Sequence, residues 1–186
     1  MIDQGVLPTS LVHYVNFPEG AKLVALCDLA DQMLDGRADA VGHAILRADH
    51  PRFLPGRGPA EGLFTAGYEA ICAWAPHLDR SVVAVQGPPG TGKTFTGAHV
   101  VKTLVEQGKR VGLTAMSHHA IDNLMQAVVE RFAADGVELR AVRKGAKNAL
   151  PGVDDLDDNA ACATGDYRVV AGTSWLFASQ AMRENP

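Results

Sequence analysis

The chain has 186 residues, 47% of them hydrophobic and 20% charged, with a formal net charge of −4 at pH 7. That length accommodates one well-packed domain with an appendage and excludes two large ones, and the composition excludes wholesale disorder. The slightly acidic balance excludes a whole-chain basic field for nucleic acid, so any such site has to be local.

In chain order, Ala21–Leu34 carries Leu23, Leu26, Leu29, Ala30, Met33 and Leu34 on one helical face and ends at Asp35-Gly36. Val41–Leu46 continues as a short helix. Pro51–Pro59, dense in proline and glycine, reads as a linker or boundary. Gly67–Pro76 reads as another short helix, stopped before Pro76. Ser81–Gln86 (SVVAVQ) is short, apolar and β-branched, as a buried strand is, and a glycine-rich turn follows it. Lys93–Gln107 repeats Ala98, Val101, Leu104 and Val105 at helical spacing and closes on Gly108. Val111–Ala115 is a second strand. Ala120–Ala133 puts Ile121, Leu124, Met125, Val128, Val129 and Phe132 on one face and ends at Asp135-Gly136. Glu138–Arg143 alternates like a strand, 146–165 is a polar, acidic stretch, Tyr167–Gly172 is strand-like and Ser174–Arg183 helix-like. Strands alternating with helices predict an α/β fold, a parallel sheet with helices on both faces. Residues 1–60 read as a mainly helical linker or accessory segment, and 61–186 as the first part of the sheet domain.

Cys27, Cys72 and Cys162 form neither a paired framework nor a C-x-x-C knuckle, and read as idle thiols in a reducing compartment. No apolar run approaches membrane-spanning length, and Met1–Gly5 lacks the basic stretch and apolar run of a leader. The expectation is a cytoplasmic protein with no membrane partner.

Gly87-Pro88-Pro89-Gly90-Thr91-Gly92-Lys93-Thr94 satisfies G-x-x-x-x-G-K-[ST] between an apolar run and an amphipathic helix. Glycines let backbone N–H groups converge on an anion, and the helix start adds unsatisfied donors and the positive end of its dipole. This loop, with Phe95 on the first turn of the helix, is the candidate cofactor site. ATP is the expected ligand, with Lys93 neutralising its β/γ-phosphates and the Thr94 hydroxyl as the Mg²⁺ ligand. Lys93 and Thr94 are the candidate catalytic residues. The string alone names no reaction.

Gln86–Thr94 resembles motif I of superfamily 1 helicases of the Upf-like branch. Thr114–Leu124 (TAMSHHAIDNL) resembles their motif Ia, and Val169–Ala178 (VVAGTSWLFA) their motif Ic. Within that branch the sequence is most similar to bacterial proteins that join a RecB-like nuclease to the helicase core, and Leu7–Ser10 and Arg52–Pro59 look like the region before their motor. The resemblance implies a P-loop NTPase (RecA-like) domain in an ATP-dependent DNA helicase or nuclease–helicase, with a place in DNA repair. It implies that Ser117, Asn123 and Thr173 hold the backbone of single-stranded DNA. Such contacts position a strand without reading its sequence. RNA as the track stays open. Ser117 also reads as the N-cap of the helix that follows it. The motor's acidic pair, its second RecA-like domain and the upstream glutamine that reads adenine are not found in the sequence, so the expectation is an incomplete domain from a longer polypeptide that binds ATP and turns it over little. Two competing readings are an AAA+-type or other P-loop ATPase that remodels protein and a non-catalytic nucleotide-binding module.

His118 and His119, adjacent at a helix start, point in different directions and read as surface or strand-facing side chains rather than metal ligands. Asp154–Asp158 lacks the Ca²⁺-loop pattern and reads as a solvated insertion loop. Arg140, Arg143, Lys144 and Lys147 could line a nucleic-acid path or form a solvated strand end. Tyr68, Trp74 and Trp175 read as packing residues before stacking platforms.

Overall fold

The structure, a computed structural model, describes residues 20–37, 41–64, 67–145 and 149–185. Leu7–Ser10 and Lys147 lie outside these residues. The periodic segments form helices where their spacing predicts them. Helix α1 spans Gly20–Leu34, α2 Val41–Leu46 and α3 Tyr68–Trp74. Helix α4 follows at Lys93–Glu106 and α5 at His118–Ala134, with strand β1, Val111–Leu113, between them. Strand β2 is Ala141–Lys144, β3 Val153–Leu156 and β4 Val169–Ala171, with helix α6, Asn159–Thr164, between the last two. Ser174–Arg183 is two short helices, α7 (Ser174–Phe177) and α8 (Gln180–Glu184), broken at Ala178–Ser179.

The four strands form one parallel sheet in the order β1-β4-β2-β3. Side chains alternate across it, as the pleat requires. Ala141, Val169 and Ala171 pack with Ala98 and Val101 of α4 and with Ile121, Met125, Val128 and Phe132 of α5. Val142 and Val170 face the other way, onto Cys162 and Ala163 of α6, Leu176 of α7 and Met182 of α8. Helices therefore cover both faces, as α/β patterning predicts. Each fully buried aliphatic or aromatic side chain contributes roughly 1.5–3 kcal/mol, so the α5 stripe is a principal source of stability.

Three sequence expectations are corrected. Ser81–Gln86 joins no sheet: it has no regular secondary structure among the described residues, and Ala84–Gln86 are exposed. An apolar run becomes a buried strand when neighbouring strands take its N–H and C=O groups, and no described strand runs beside it. The acidic stretch is not a solvated insertion loop throughout. Val153–Leu156 is the edge strand β3, and Asp158 caps α6, its Oδ2 accepting from Ala161 N at 2.7 Å. Glu138–Arg140 stay outside the sheet, so β2 starts at Ala141, later than the alternation suggested.

The proline-rich segment before α3 is tied to the residues after it. Phe53 bridges Leu78 in antiparallel fashion, and Arg52 N donates to Ser81 Oγ at 2.9 Å. Phe53 and Phe64 each pack edge to face on Trp74 around that junction and lie tilted on one another, which makes Trp74 a packing residue, as its helical position suggested. Trp175 sits beneath Lys22 of α1, the ammonium 4.1 Å from the ring centroid.

Candidate functional site

The loop between Gln86 and α4 is built by its glycines. Gly90 and Gly92 have φ of +82° and +77°, conformations that side chains rarely adopt. At Gly87 a Cβ would lie 2.5 Å from Thr91 Oγ1, so only glycine lets the loop close there. Thr91 Oγ1 donates to Pro88 O at 2.8 Å and braces the turn. Gly92 is the N-cap of α4, and the first helical bond runs from Thr96 N to Gly92 O at 2.8 Å. The N–H groups of Lys93, Thr94 and Phe95 therefore have no helical acceptor, and they open onto an exposed loop.

Lys93 Nζ arches back over the loop, donating to Gly87 O at 2.5 Å and Pro88 O at 2.7 Å. An ammonium held at the loop mouth, a ring of backbone donors and the helix dipole together suit a polyphosphate. Thr94, exposed at the second helical position, offers a hydroxyl beside that anion, and Mg²⁺ characteristically takes few protein ligands besides phosphate and water. The donor set therefore fits a nucleotide with Mg²⁺. No group of three or more His, Cys, Asp or Glu among the described residues could hold a metal by itself.

The strand-end residues follow from the sheet. β1 and β4 are parallel neighbours with Leu113 opposite Ala171, and Gly172 N donates to Leu113 O at 3.0 Å. Ser117 comes four residues beyond the end of β1 and Thr173 two beyond the end of β4, so both follow carboxyl ends on one side of the sheet, where open α/β sheets bind ligands. Ser117 caps α5, its Oγ accepting from Ala120 N at 3.2 Å, and it is exposed with its O–H left to donate. Thr173 is the N-cap residue of α7 without a side-chain cap bond. Asn123 is exposed, one turn from His119, and the two side chains are paired at 3.3 Å (Nδ2 to Nε2). Leu124 of α5 reaches toward α4, where a Cβ at Gly97 would meet its Cδ1 at 3.2 Å. The starts of α4 and α5 are thus held beside one another.

One cation of the basic group is not available to any ligand path. Arg143 is 1% exposed, and this corrects the expectation of a solvated strand end. It shares a sheet face with Ala141 and meets α5, its NH1 donating to Asp122 Oδ1 at 2.8 Å, while Nε donates to Asp155 Oδ1 at 3.0 Å. The network joins the start of α5 to the β2–β3 edge. The parity of Arg143 with Ala141 was the sequence signal for its burial. Gly145 follows at φ +74°, and a Cβ there would lie 2.6 Å from His118 Cε1, so His118 is strand-facing as expected.

His99 escaped the sequence reading, whereas Tyr68 packs as its helical position suggested. Tyr68 and His99 flank Phe95, with ring centroids 5.3 Å and 4.2 Å from it. Tyr68 thus packs beside the loop helix, and the Glu69 carboxylate next to it raises its phenol pKa. Of the cysteines, Cys162 is buried and burial pushes its thiol up, which fits an idle group. No described helix is long and apolar enough to cross a membrane.

A family model described as an AAA domain (AAA_11) matches residues 69–170, more than half of the chain. The chain is 34% identical over 109 residues to a regulator of nonsense transcripts 1 homolog from Arabidopsis thaliana, covering 58% of this chain and 8% of that protein. It is 51% identical over 41 residues to the DNA replication ATP-dependent helicase/nuclease DNA2 of Saccharomyces cerevisiae, covering 22% of this chain and 3% of that protein. It is 32% identical over 84 residues to DNA-binding protein SMUBP-2 of Mesocricetus auratus, covering 44% and 8%. Each of these matches thus spans less than a tenth of the relative's length. No solved structure matches the chain.

Proposed function

Because the chain belongs to the AAA domain family AAA_11, we propose that it is the ATP-binding portion of an ATP-dependent superfamily 1 helicase that moves along single-stranded nucleic acid. The observation that carries this reading is the juxtaposition of a polyphosphate cradle at Gly87–Thr94 with the hydroxyls of exposed Ser117 and half-buried Thr173 beyond the carboxyl ends of neighbouring parallel strands. The cradle binds the nucleotide: backbone donors take the phosphates, Lys93 offsets their charge, and Thr94 supplies the protein oxygen for Mg²⁺. Mg²⁺, when bound, neutralises charge on the β- and γ-phosphates. Ser117, Asn123 and Thr173 position the phosphodiester backbone of the track.

The names of the relatives support nucleic acid over protein remodelling, since they include an ATP-dependent helicase/nuclease and a DNA-binding protein. Single-stranded DNA is the track we propose, in a cytoplasmic protein. The finer assignment, to bacterial proteins that join a RecB-like nuclease to this motor, rests on the resemblance of 80–178. We divide the chain into an accessory segment, 1–60, and the first part of the motor domain, 61–186.

The test is paired binding to the 186-residue chain. Lys93→Ala should abolish measurable Mg²⁺-ATP binding by calorimetry and leave single-stranded DNA binding intact. DNA binding should weaken steeply with added salt. Unchanged nucleotide affinity in Lys93→Ala would sink the phosphate assignment; absence of salt-sensitive DNA binding would sink the helicase reading and favour a nucleotide-binding module.

A further inference from the structure

The P-loop accounts for phosphates and leaves the other end of a nucleotide without a partner. Phe95 is the third residue of α4, and its N–H is among the free donors at the phosphate cradle. A nucleoside attached to phosphates at that helix start has to lie beside the first turn, where this side chain projects. Phe95 is nevertheless 54% exposed. Its ring is held in place rather than buried: Tyr68 packs against it edge to face at 87°, and His99 lies tilted at 44°. His99 is itself fixed by the Nδ1 contact to Phe95 O at 2.9 Å, in which the carbonyl accepts. An exposed aromatic ring braced on two sides is a preformed stacking surface.

Two more observations lie on the same flank. A groove of about 310 Å³ runs between α4 and α5, lined by Phe95 and His99 on one side and by Glu130 and Arg131 on the other. That volume is at the small end for ligand sites, and suits a single planar group. Arg131 Nε is buried and has no hydrogen-bond partner, although the same guanidinium pairs with Asp135 through its NH2. A buried N–H left unspent is unusual; the side chain is 30% exposed and lines the groove, so a rotation of the guanidinium would present that N–H to a ligand acceptor. The Glu130 carboxylate already takes a hydrogen bond from Gln126 Nε2 at 2.9 Å. Gly67 caps α3, and Tyr68 and Glu69 open it, so no amide side chain stands there to read a base edge.

We propose that the Phe95–His99 platform, facing Arg131 across the α4–α5 groove, is the nucleobase subsite, and that it accepts nucleoside triphosphates with little discrimination among bases. This rests on the phosphate-site reading above. Stacking tolerates any base, because every base has a π-face, and a lone N–H donor meets an acceptor on each of them. Recognition of the nucleotide then lies mainly in its triphosphate.

The experiment is calorimetric titration of the 186-residue chain, in Mg²⁺, with ATP, GTP, CTP and inorganic tripolyphosphate. The three nucleotides should bind within about fivefold of one another, as stacking-led recognition implies. Phe95→Ala should weaken all three by about tenfold or more while leaving tripolyphosphate within about twofold, and Phe95→Trp should restore nucleotide affinity. ATP binding more than about thirtyfold tighter than both others overturns the tolerance, since that ratio requires base-edge hydrogen bonds. If Phe95→Ala weakens tripolyphosphate equally, Phe95 merely shapes the loop and the subsite is wrong; no change in any ligand overturns it as well. Lys93→Ala separates the two readings. It should weaken tripolyphosphate and nucleotides alike, and that result stands even if the base subsite fails.

Discussion

Helices α1 and α5 both repeat apolar residues at helical spacing, yet their environments are opposite. α5 buries Ile121, Met125, Val128 and Phe132 to 2% exposure or less against the sheet. α1 buries none of its residues, and Leu26 and Leu34 remain 63% and 86% exposed. Its described attachments are sparse: Lys22 over Trp175, Asp28 with Arg183, and Leu29 against Gly42 of α2. A periodic stripe specifies a helix with a sticky face; a partner of matching shape decides whether that face stabilises the fold.

The largest expected effect breaks or confirms this contrast directly. Phe132→Ala in α5 should cost about 3–5 kcal/mol of unfolding free energy, whereas Leu26→Ala in α1 should stay within about 0.5 kcal/mol. Urea unfolding of both variants is the check, and comparable losses would show that α1 is also packed. A second test concerns the charged anchor of α5. Arg143→Met leaves Asp122 and Asp155 facing each other's charge without their cation, at a cost of about 2–3 kcal/mol. That lies at the low end for buried pairs because the two carboxylates are 22% and 34% exposed. Arg143→Met with Asp155→Asn should recover part of the loss; equal instability of both variants would mean that packing, not charge, is responsible.

Smaller still is the cap. Ser117→Ala should cost about 1 kcal/mol through the lost Ala120 hydrogen bond, and should weaken single-stranded DNA binding without moving ATP affinity. The smallest effect is acid-dependent and sits at the other end of α5. The guanidinium of Arg131 and the ammonium of Lys102 hold the Asp135 carboxyl below the ordinary carboxylate range. A depressed folded-state pKa stabilises above the unfolded value, and the gain is lost as pH falls through the folded one. Asp135→Asn should therefore narrow the stability difference between neutral and strongly acidic pH by a small, salt-sensitive amount, read by thermal unfolding across that range.

The same division separates what was legible in the residues from what was not. The phosphate loop was legible because its conformation is local, with Gly90 and Gly92 taking positive φ and Gly87 leaving room for Thr91 within one eight-residue string. The Ser117 cap and the α4 and α5 stripes were legible for the same reason. Ser81–Gln86 was misread because an apolar β-branched run reports on its own residues and not on whether a neighbouring strand takes its hydrogen bonds. Asp155 and Arg143 were misread because charged residues read as solvated until a distant carboxylate and cation are brought together. Tyr68 was set apart from the nucleotide site because α3 and α4 are joined by the fold and not by proximity in the chain.

By itself, the sequence determined helices α1–α5, the Ser117 cap and the phosphate cradle, since backbone preferences and side-chain period act within a few residues. Tertiary structure alone decided the strand order β1-β4-β2-β3, which brings Ser117 and Thr173 beyond neighbouring strand ends. It also decided that one amphipathic helix is buried and another exposed, and that Phe95 stands between Tyr68, His99 and an open groove. Those outcomes depend on contacts between residues far apart in the chain, and the identity of the partner is not encoded in the residues of either segment taken alone.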